Sequence, residues 1–182
     1  ESSTRKTIEL TNIPGLAKFD KCSGIIFKFD SSRNDERALF LTNGHCVHLP
    51  GQPFYLKHRE FYYNLNFDKT IVLNSTGEEL VIKRLVYATM SSTDIAVIEL
   101  EKTYEELGIE VLVLGRNMTD ATSQEIMVPS SYHRNNMTGK ISQVVKVLKE
   151  AIWTWDDALI LDLSDDFKKG SSGSPVILLS SS

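Results

Sequence analysis

The chain has 182 residues with a formal charge of -4, 41% hydrophobic and 24% charged residues, which is the make-up of a water-soluble globular protein long enough for one ordinary domain or two small barrels sharing an interface. Its longest apolar runs, such as Val176 to Leu179, fall far short of the roughly 18 residues that cross a bilayer, so no membrane span is expected. Lys and Arg are scattered rather than gathered into a stripe, which sets nucleic acid aside as a partner. In chain order the sequence then offers short runs rich in Val, Ile, Leu, Phe and Tyr: "GIIFKF", "ALFLTN", "PFYLKH", "KTIVLN", "ELVIKRLVYA", "DIAVIEL", "EVLVLG", "ISQVVKVLK" and "ALILDL". Most are about 5 to 8 residues, partly alternating and bounded by Gly, Asn, Asp, Ser or Pro, the pattern of antiparallel strands. Only "KTYEELGI" predicts a helix, of one or two turns stopped by Gly108. The expected fold is all-β, a sandwich or barrels, with the internal boundary in the polar stretch at 101–108.

The segment "KKGSSGSPV" frames serines between Gly170 and Gly173. A serine hydroxyl becomes a nucleophile only when a neutral imidazole takes its proton, a carboxylate orients that imidazole, and backbone N–H groups receive the oxyanion. Among four histidines, His45 in "LTNGHCV" ends a strand in a turn with Gly44, where its side chain can face a cleft. His48, His58 and His133 lack such framing and read as surface or satisfied interior residues. Asp94 opens the apolar strand "TDIAVIEL", and a carboxylate at the threshold of a buried strand requires a partner. The pairs Asp156-Asp157 and Asp165-Asp166 read as solvated turns, and Trp153, Trp155 and "EFYYNLNF" as barrel packing.

Chain order discriminates between hydrolase architectures. An α/β-hydrolase needs a histidine after its nucleophile and Gly-x-Ser-x-Gly; no histidine follows Ser172, and Ser174 occupies the last position. The subtilisin order needs an acid before the histidine and a helix-rich α/β chain, against the strand pattern. The order His45, Asp94, Ser172 fits paired β-barrels.

"TNGHC", "TDIAVIEL" and "GSSGSP" together resemble the histidine, aspartate and serine segments of chymotrypsin-like serine proteases, and the Ser-Gly-Ser-Pro-Val ending is most similar to the bacterial glutamyl-endopeptidase branch, with HtrA-type proteases as near cousins. The resemblance implies two six-stranded antiparallel β-barrels packed together, an N-terminal one over 1–104 with His45 and Asp94, and a C-terminal one over 105–182 with Ser172. It implies a serine endopeptidase acting on polypeptides through an acyl-enzyme, without metal or organic cofactor, with Gly170 and Ser172 N–H groups as oxyanion hole. It also implies a Cys22–Cys46 disulfide closing a loop of about 25 residues, worth roughly 3 kcal/mol, and through it a secreted or periplasmic location. Alternatively, the fold serves as a catalytically silent binding or scaffold protein.

Three departures qualify the resemblance. Ser171 stands where trypsin-branch enzymes carry the Asp that pairs with a new N-terminus, so activation of that kind is not expected. Asp166 precedes Ser172 by six residues, the spacing of the acid that binds a P1 cation, but the intervening "FKK" lacks the family's cysteine. The sequence stops at Ser182, before the family's last two strands, so the second barrel is expected to be incomplete.

Overall fold

The computed structural model describes residues 13–47, 61–65, 69–115, 122–133 and 136–179, with backbone alone for 61–65. In chain order the elements are β1 (Leu16–Phe19), β2 (Cys22–Lys28), β3 (Arg37–Thr42), β4 (Phe61–Leu65), β5 (Thr70–Leu73), β6 (Glu79–Thr89), β7 (Ile95–Thr103), α1 (Tyr104–Leu107), β8 (Leu112–Val113), β9 (Glu125–Val128), β10 (Met137–Glu150), β11 (Trp153–Leu163) and β12 (Ile177–Leu178). "PFYLKH" and His58 lie outside the described residues, as does His48.

The first sheet runs β1-β5-β6-β7-β3-β2, and because β1 also pairs with β2 it closes into a six-stranded barrel. Alternation supplies its interior: β3 and β7 bury every second side chain. Register shifts in β6 against β7 at Ile82/Arg84 and Leu85/Tyr87 add the local twist that lets a six-stranded sheet curl on itself. Phe19, Ile26, Phe40, Leu85, Ile98 and Leu100 are fully buried inside it, each worth about 1.5–3 kcal/mol of transfer free energy. Phe19 and Phe40 meet edge to face at 6.1 Å between centroids.

The short helix forms where the sequence places it. Thr103 and Glu106 make a reciprocal capping box, and Gly108 ends the helix in the left-handed region at φ 62°. Of "EVLVLG", Leu112–Val113 pairs in parallel with β2 and Leu114 N–H donates to Lys28 O, so this segment adds to the first sheet beside β2 and not to the second.

The second sheet has four antiparallel strands in the order β11-β10-β9-β12. Its hairpin of 14 and 11 residues is longer than the runs read from sequence, because the ladder continues through polar residues outside those runs, such as Lys140, opposite Asp162, and Asp156, opposite Val147, with a register shift between Ile141 and Gln143. The hairpin tip reaches the first barrel: Asp156 N–H donates to the Ser92 carbonyl at 2.8 Å, and the stacked Trp153 and Trp155 pack against the first core. Ile126, Val128, Met137 and Ile141 form the second core. A third cluster joins Leu16 and Ile25 of the barrel to Met127 and Ile177 of the second sheet, so the two units share an apolar interface.

Cys22 at the start of β2 is bonded to Cys46 at the end of the turn that carries His45, across a sequence separation of 24. Restricting a loop of that length in the unfolded chain stabilises the fold by about 3 kcal/mol. The double variant Cys22→Ala/Cys46→Ala should lose that amount in urea unfolding, with a lower midpoint; an unchanged midpoint would show that the bridge constrains nothing.

Candidate active site

His45 lies in a single 3-10 turn, Gly44–Cys46, immediately after β3. Its ring and backbone are held by one carboxylate. Nδ1 donates to Asp94 Oδ2 at 2.6 Å, and the backbone N–H donates to Oδ1 at 3.0 Å. Asp94 immediately precedes β7, and Asn43 Nδ2 donates to its carbonyl at 2.8 Å. The side chains are 27% and 21% exposed, so both are partly shielded by the protein and still reach the surface. With Nδ1 committed as donor to Asp94, the acceptor lone pair of a neutral ring lies on Nε2. Candidate ligand atoms of Cys22, Cys46 and His45 lie within 4.8 Å of one another, but the sulfurs are joined to each other, so they wall the imidazole and are not thiolates that could bind a metal.

The serine segment folds as two turns in series. Ser171 N–H donates to Lys168 O and Ser174 N–H to Ser171 O, both at 3.0 Å, and the third residue of each turn is a glycine with positive φ, Gly170 at 92° and Gly173 at 81°. These are type II turns, which call for glycine at that position. Space demands it as well. A Cβ on Gly173 would stand 2.0 Å from Ser23 O and 2.2 Å from Thr42 Oγ1, and one on Gly170 would stand 2.8 Å from the Tyr132 ring.

Because of these turns, the backbone donors from 170 to 174 divide into two groups. Ser171, Gly173 and Ser174 donate within the protein, Gly173 to Asn43 Oδ1. The N–H groups of Gly170 and Ser172 donate to no partner among the described residues. Asn43 therefore joins the two halves of the site, holding Asp94 through its Nδ2 and the serine turn through its Oδ1.

Ser23, fully buried at the start of β2, makes the second connection. Its N–H donates to Ser172 O at 2.7 Å, its carbonyl accepts from Thr42 Oγ1 at 2.8 Å, and its hydroxyl donates to Gly170 O at 2.8 Å while accepting from Ser131 N–H at 2.9 Å. Neither Asn43 nor Ser23 stands out in the sequence as a site residue. The available signals were a polar residue two before the histidine and a serine beside a cysteine at the head of an apolar strand.

The remaining candidates fall nearby or outside. Asp166 lines a cavity of about 220 Å³ with Ser130, Tyr132, His133 and Met137, behind Ser171. Asp165 pairs with Lys168 at 2.8 Å, and that ammonium holds its carboxyl below the usual carboxylate range. Asp157 pairs with Lys146 at 2.7 Å in the open. Asp165 and Asp166 lie on an exposed bend, as their sequence context suggests, whereas Asp156 and Asp157 are exposed residues of strand β11 and not of a turn, because the β10–β11 ladder runs through them.

The sequence profile of the trypsin-like peptidase domain matches residues 22–181, across all of these elements. The chain belongs to the trypsin-like peptidase family. A solved structure of the HtrA-type protease AlgW with a decapeptide is similar to this trypsin-like domain with a TM-score of 0.52 and 17% sequence identity. The match covers 87% of this chain and 39% of the AlgW chain, so the domain spans about two fifths of that protein's length. No curated protein matches it in sequence.

Asn43→Ala removes both hydrogen bonds of the bridge. Stability should fall by about 1–3 kcal/mol, and turnover by about tenfold to a hundredfold, the cost of displacing reacting groups by about 1 Å. Steady-state kinetics on the folded variant checks this; full turnover would remove Asn43 from the positioning of the site.

Proposed function

We propose that this trypsin-like domain is a serine endopeptidase in which Ser172 is the nucleophile, His45 the general base and Asp94 the residue that orients and charges the base. The observation that carries the reading is the bidentate hold of Asp94 on His45, adjoining a serine turn tied to the same loop through Asn43. Ser172 Oγ attacks the carbonyl carbon of the scissile peptide bond while its proton passes to His45 Nε2. The tetrahedral oxyanion is received by the Gly170 and Ser172 N–H groups, which stay uncommitted within the described residues. Collapse of this intermediate breaks the C–N bond, and Nε2 returns the proton to the leaving amine. A water molecule, deprotonated by the same nitrogen, then attacks the acyl-Ser172 ester and releases the second product.

Asp94 contributes by stabilising the imidazolium that forms at each step, and its two-oxygen grip fixes the ring with Nδ1 on the carboxylate, which leaves Nε2 as the nitrogen that exchanges the proton. Ser171, buried, sits where a trypsin-branch enzyme would carry an acid, and its hydroxyl accepts from Lys168 N–H at 3.3 Å. The loop is therefore held without an N-terminal ion pair, in keeping with the glutamyl-endopeptidase and HtrA-type branches. The Cys22–Cys46 bridge supports maturation in an oxidising compartment, outside the cell or in a periplasm.

A fluorophosphonate probe tests the assignment. Wild type should form a phosphonyl ester at Ser172 with loss of fluoride, mapped by mass spectrometry, and Ser172→Ala should neither label nor turn over, with kcat down roughly 10⁶-fold. Labelling at Ser171 or Ser174 would overturn the choice of nucleophile, and a wild-type protein that neither labels nor cleaves would instead fit a protease fold used for binding.

A further inference from the structure

The reaction scheme leaves one imidazole beside the serine turn without a task. His133 Nε2 lies 3.0 Å from the carbonyl oxygen of Lys169. A carbonyl only accepts, so this ring nitrogen donates, whether the ring is the Nε2–H tautomer or the imidazolium. Among the described residues it is the donor that Lys169 O has.

That carbonyl is one end of the peptide unit whose other end is Gly170 N–H. In a trans peptide the two point in opposite directions. A donor that keeps the carbonyl on the His133 side therefore keeps the N–H on the far side. The turn makes this choice a real one. Types I and II share the same closing hydrogen bond, here Ser171 N–H to Lys168 O at 3.0 Å, and differ by a rotation of the central peptide of about 180°. Glycine at the third position takes either sign of φ, so Gly170 by itself does little to select one. The neighbouring peptides are tied elsewhere: Gly170 O accepts from Ser23, and Ser172 O from Ser23 N–H. The Lys169–Gly170 unit depends on His133.

We infer that His133 is a positioning residue: its hydrogen bond to Lys169 O holds the Lys169–Gly170 peptide in the type II orientation and keeps Gly170 N–H available to the oxyanion. His133 touches neither substrate nor the reacting atoms. The inference rests on the reading of Ser172 as nucleophile and of Gly170 N–H as an oxyanion donor.

The test uses the full chain and three variants. His133→Gln places an amide N–H at the reach of Nε2, His133→Asn carries one that falls short, and His133→Leu carries none. Fluorophosphonate labelling of the wild type comes first: if Ser172 does not label, the reading beneath the inference fails. If it labels, kinetics follow on the best wild-type substrate from a set of peptide p-nitroanilides varied at P1. Losing part of an oxyanion donor should lower kcat by about tenfold or more in the Asn and Leu variants, with KM within about twofold of wild type and the Gln variant within about threefold in kcat. A peptide boronic acid, whose tetrahedral adduct uses the same donor, should lose affinity in parallel. Thermal melts of the Asn and Gln variants keep the comparison valid if Leu unfolds. Equal turnover in all folded variants, an equal loss in Gln and Asn, or a loss confined to KM overturns the proposal.

Discussion

Ser23 is the residue on which the geometry of this domain depends. It is buried at the head of β2, and its amide, carbonyl and hydroxyl are committed to three other segments: the 170–172 turn, the end of β3 and the 131 loop. A buried polar group that loses its partner costs about 1–3 kcal/mol, so these bonds hold one another in place. The partners come from both sheets. The same short piece of backbone therefore fixes the serine turn relative to the barrel and, through Cys22 next to it, fixes the turn that carries His45.

The barrel supplies what hydrogen bonds cannot. Its closed six strands leave no free edge in the ring, and the ends of β3 and β7 bring Asn43, His45 and Asp94 together from positions 49 to 51 residues apart. Side-chain bonds of this kind work because the strands ending there are rigid and fully packed around Phe40, Ile98 and Leu100. The second sheet contributes in the opposite manner. It is held to the barrel by the cluster around Leu16, Ile25, Met127 and Ile177, by the Trp153–Trp155 tip and by the Ser23 bonds, so its serine turn is placed by contacts between units.

Much of this was legible in the sequence, and what was not has a physical reason. Period-2 alternation and turn residues identify an all-β chain; β5 falls within its predicted run, and β2, β3, β6, β7, β10 and β11 each overlap one and extend past it. The capping box at Thr103 and Glu106 and the stop at Gly108 are local signals, so the helix is readable too. His45 and Asp94 are recoverable because the chemistry of a serine nucleophile demands an imidazole and an acid, and the structure brings that pair to 2.6 Å. β1 and β9 were not among the predicted runs, since each is four residues long and carries a charged residue, Lys18 or Glu125, that breaks the apolar run. The roles of Ser23, Asn43 and His133 were hidden for a different reason. Each acts through a partner 36 to 147 residues away, to a backbone atom whose availability depends on how a turn is folded. No residue type or spacing announces such a bond.

The central claim is that interior hydrogen bonds from the barrel poise the serine turn for attack by Ser172. It is tested most directly by the rate of phosphonylation at Ser172 in Ser23→Ala, measured at a temperature where circular dichroism shows the same folded state as wild type. The alanine removes the hydroxyl that holds Gly170 O and satisfies Ser131 N–H, and keeps the backbone. The account expects labelling slower by about tenfold or more, the order of effect of a displaced reacting group. Labelling of the folded variant at the wild-type rate would contradict it.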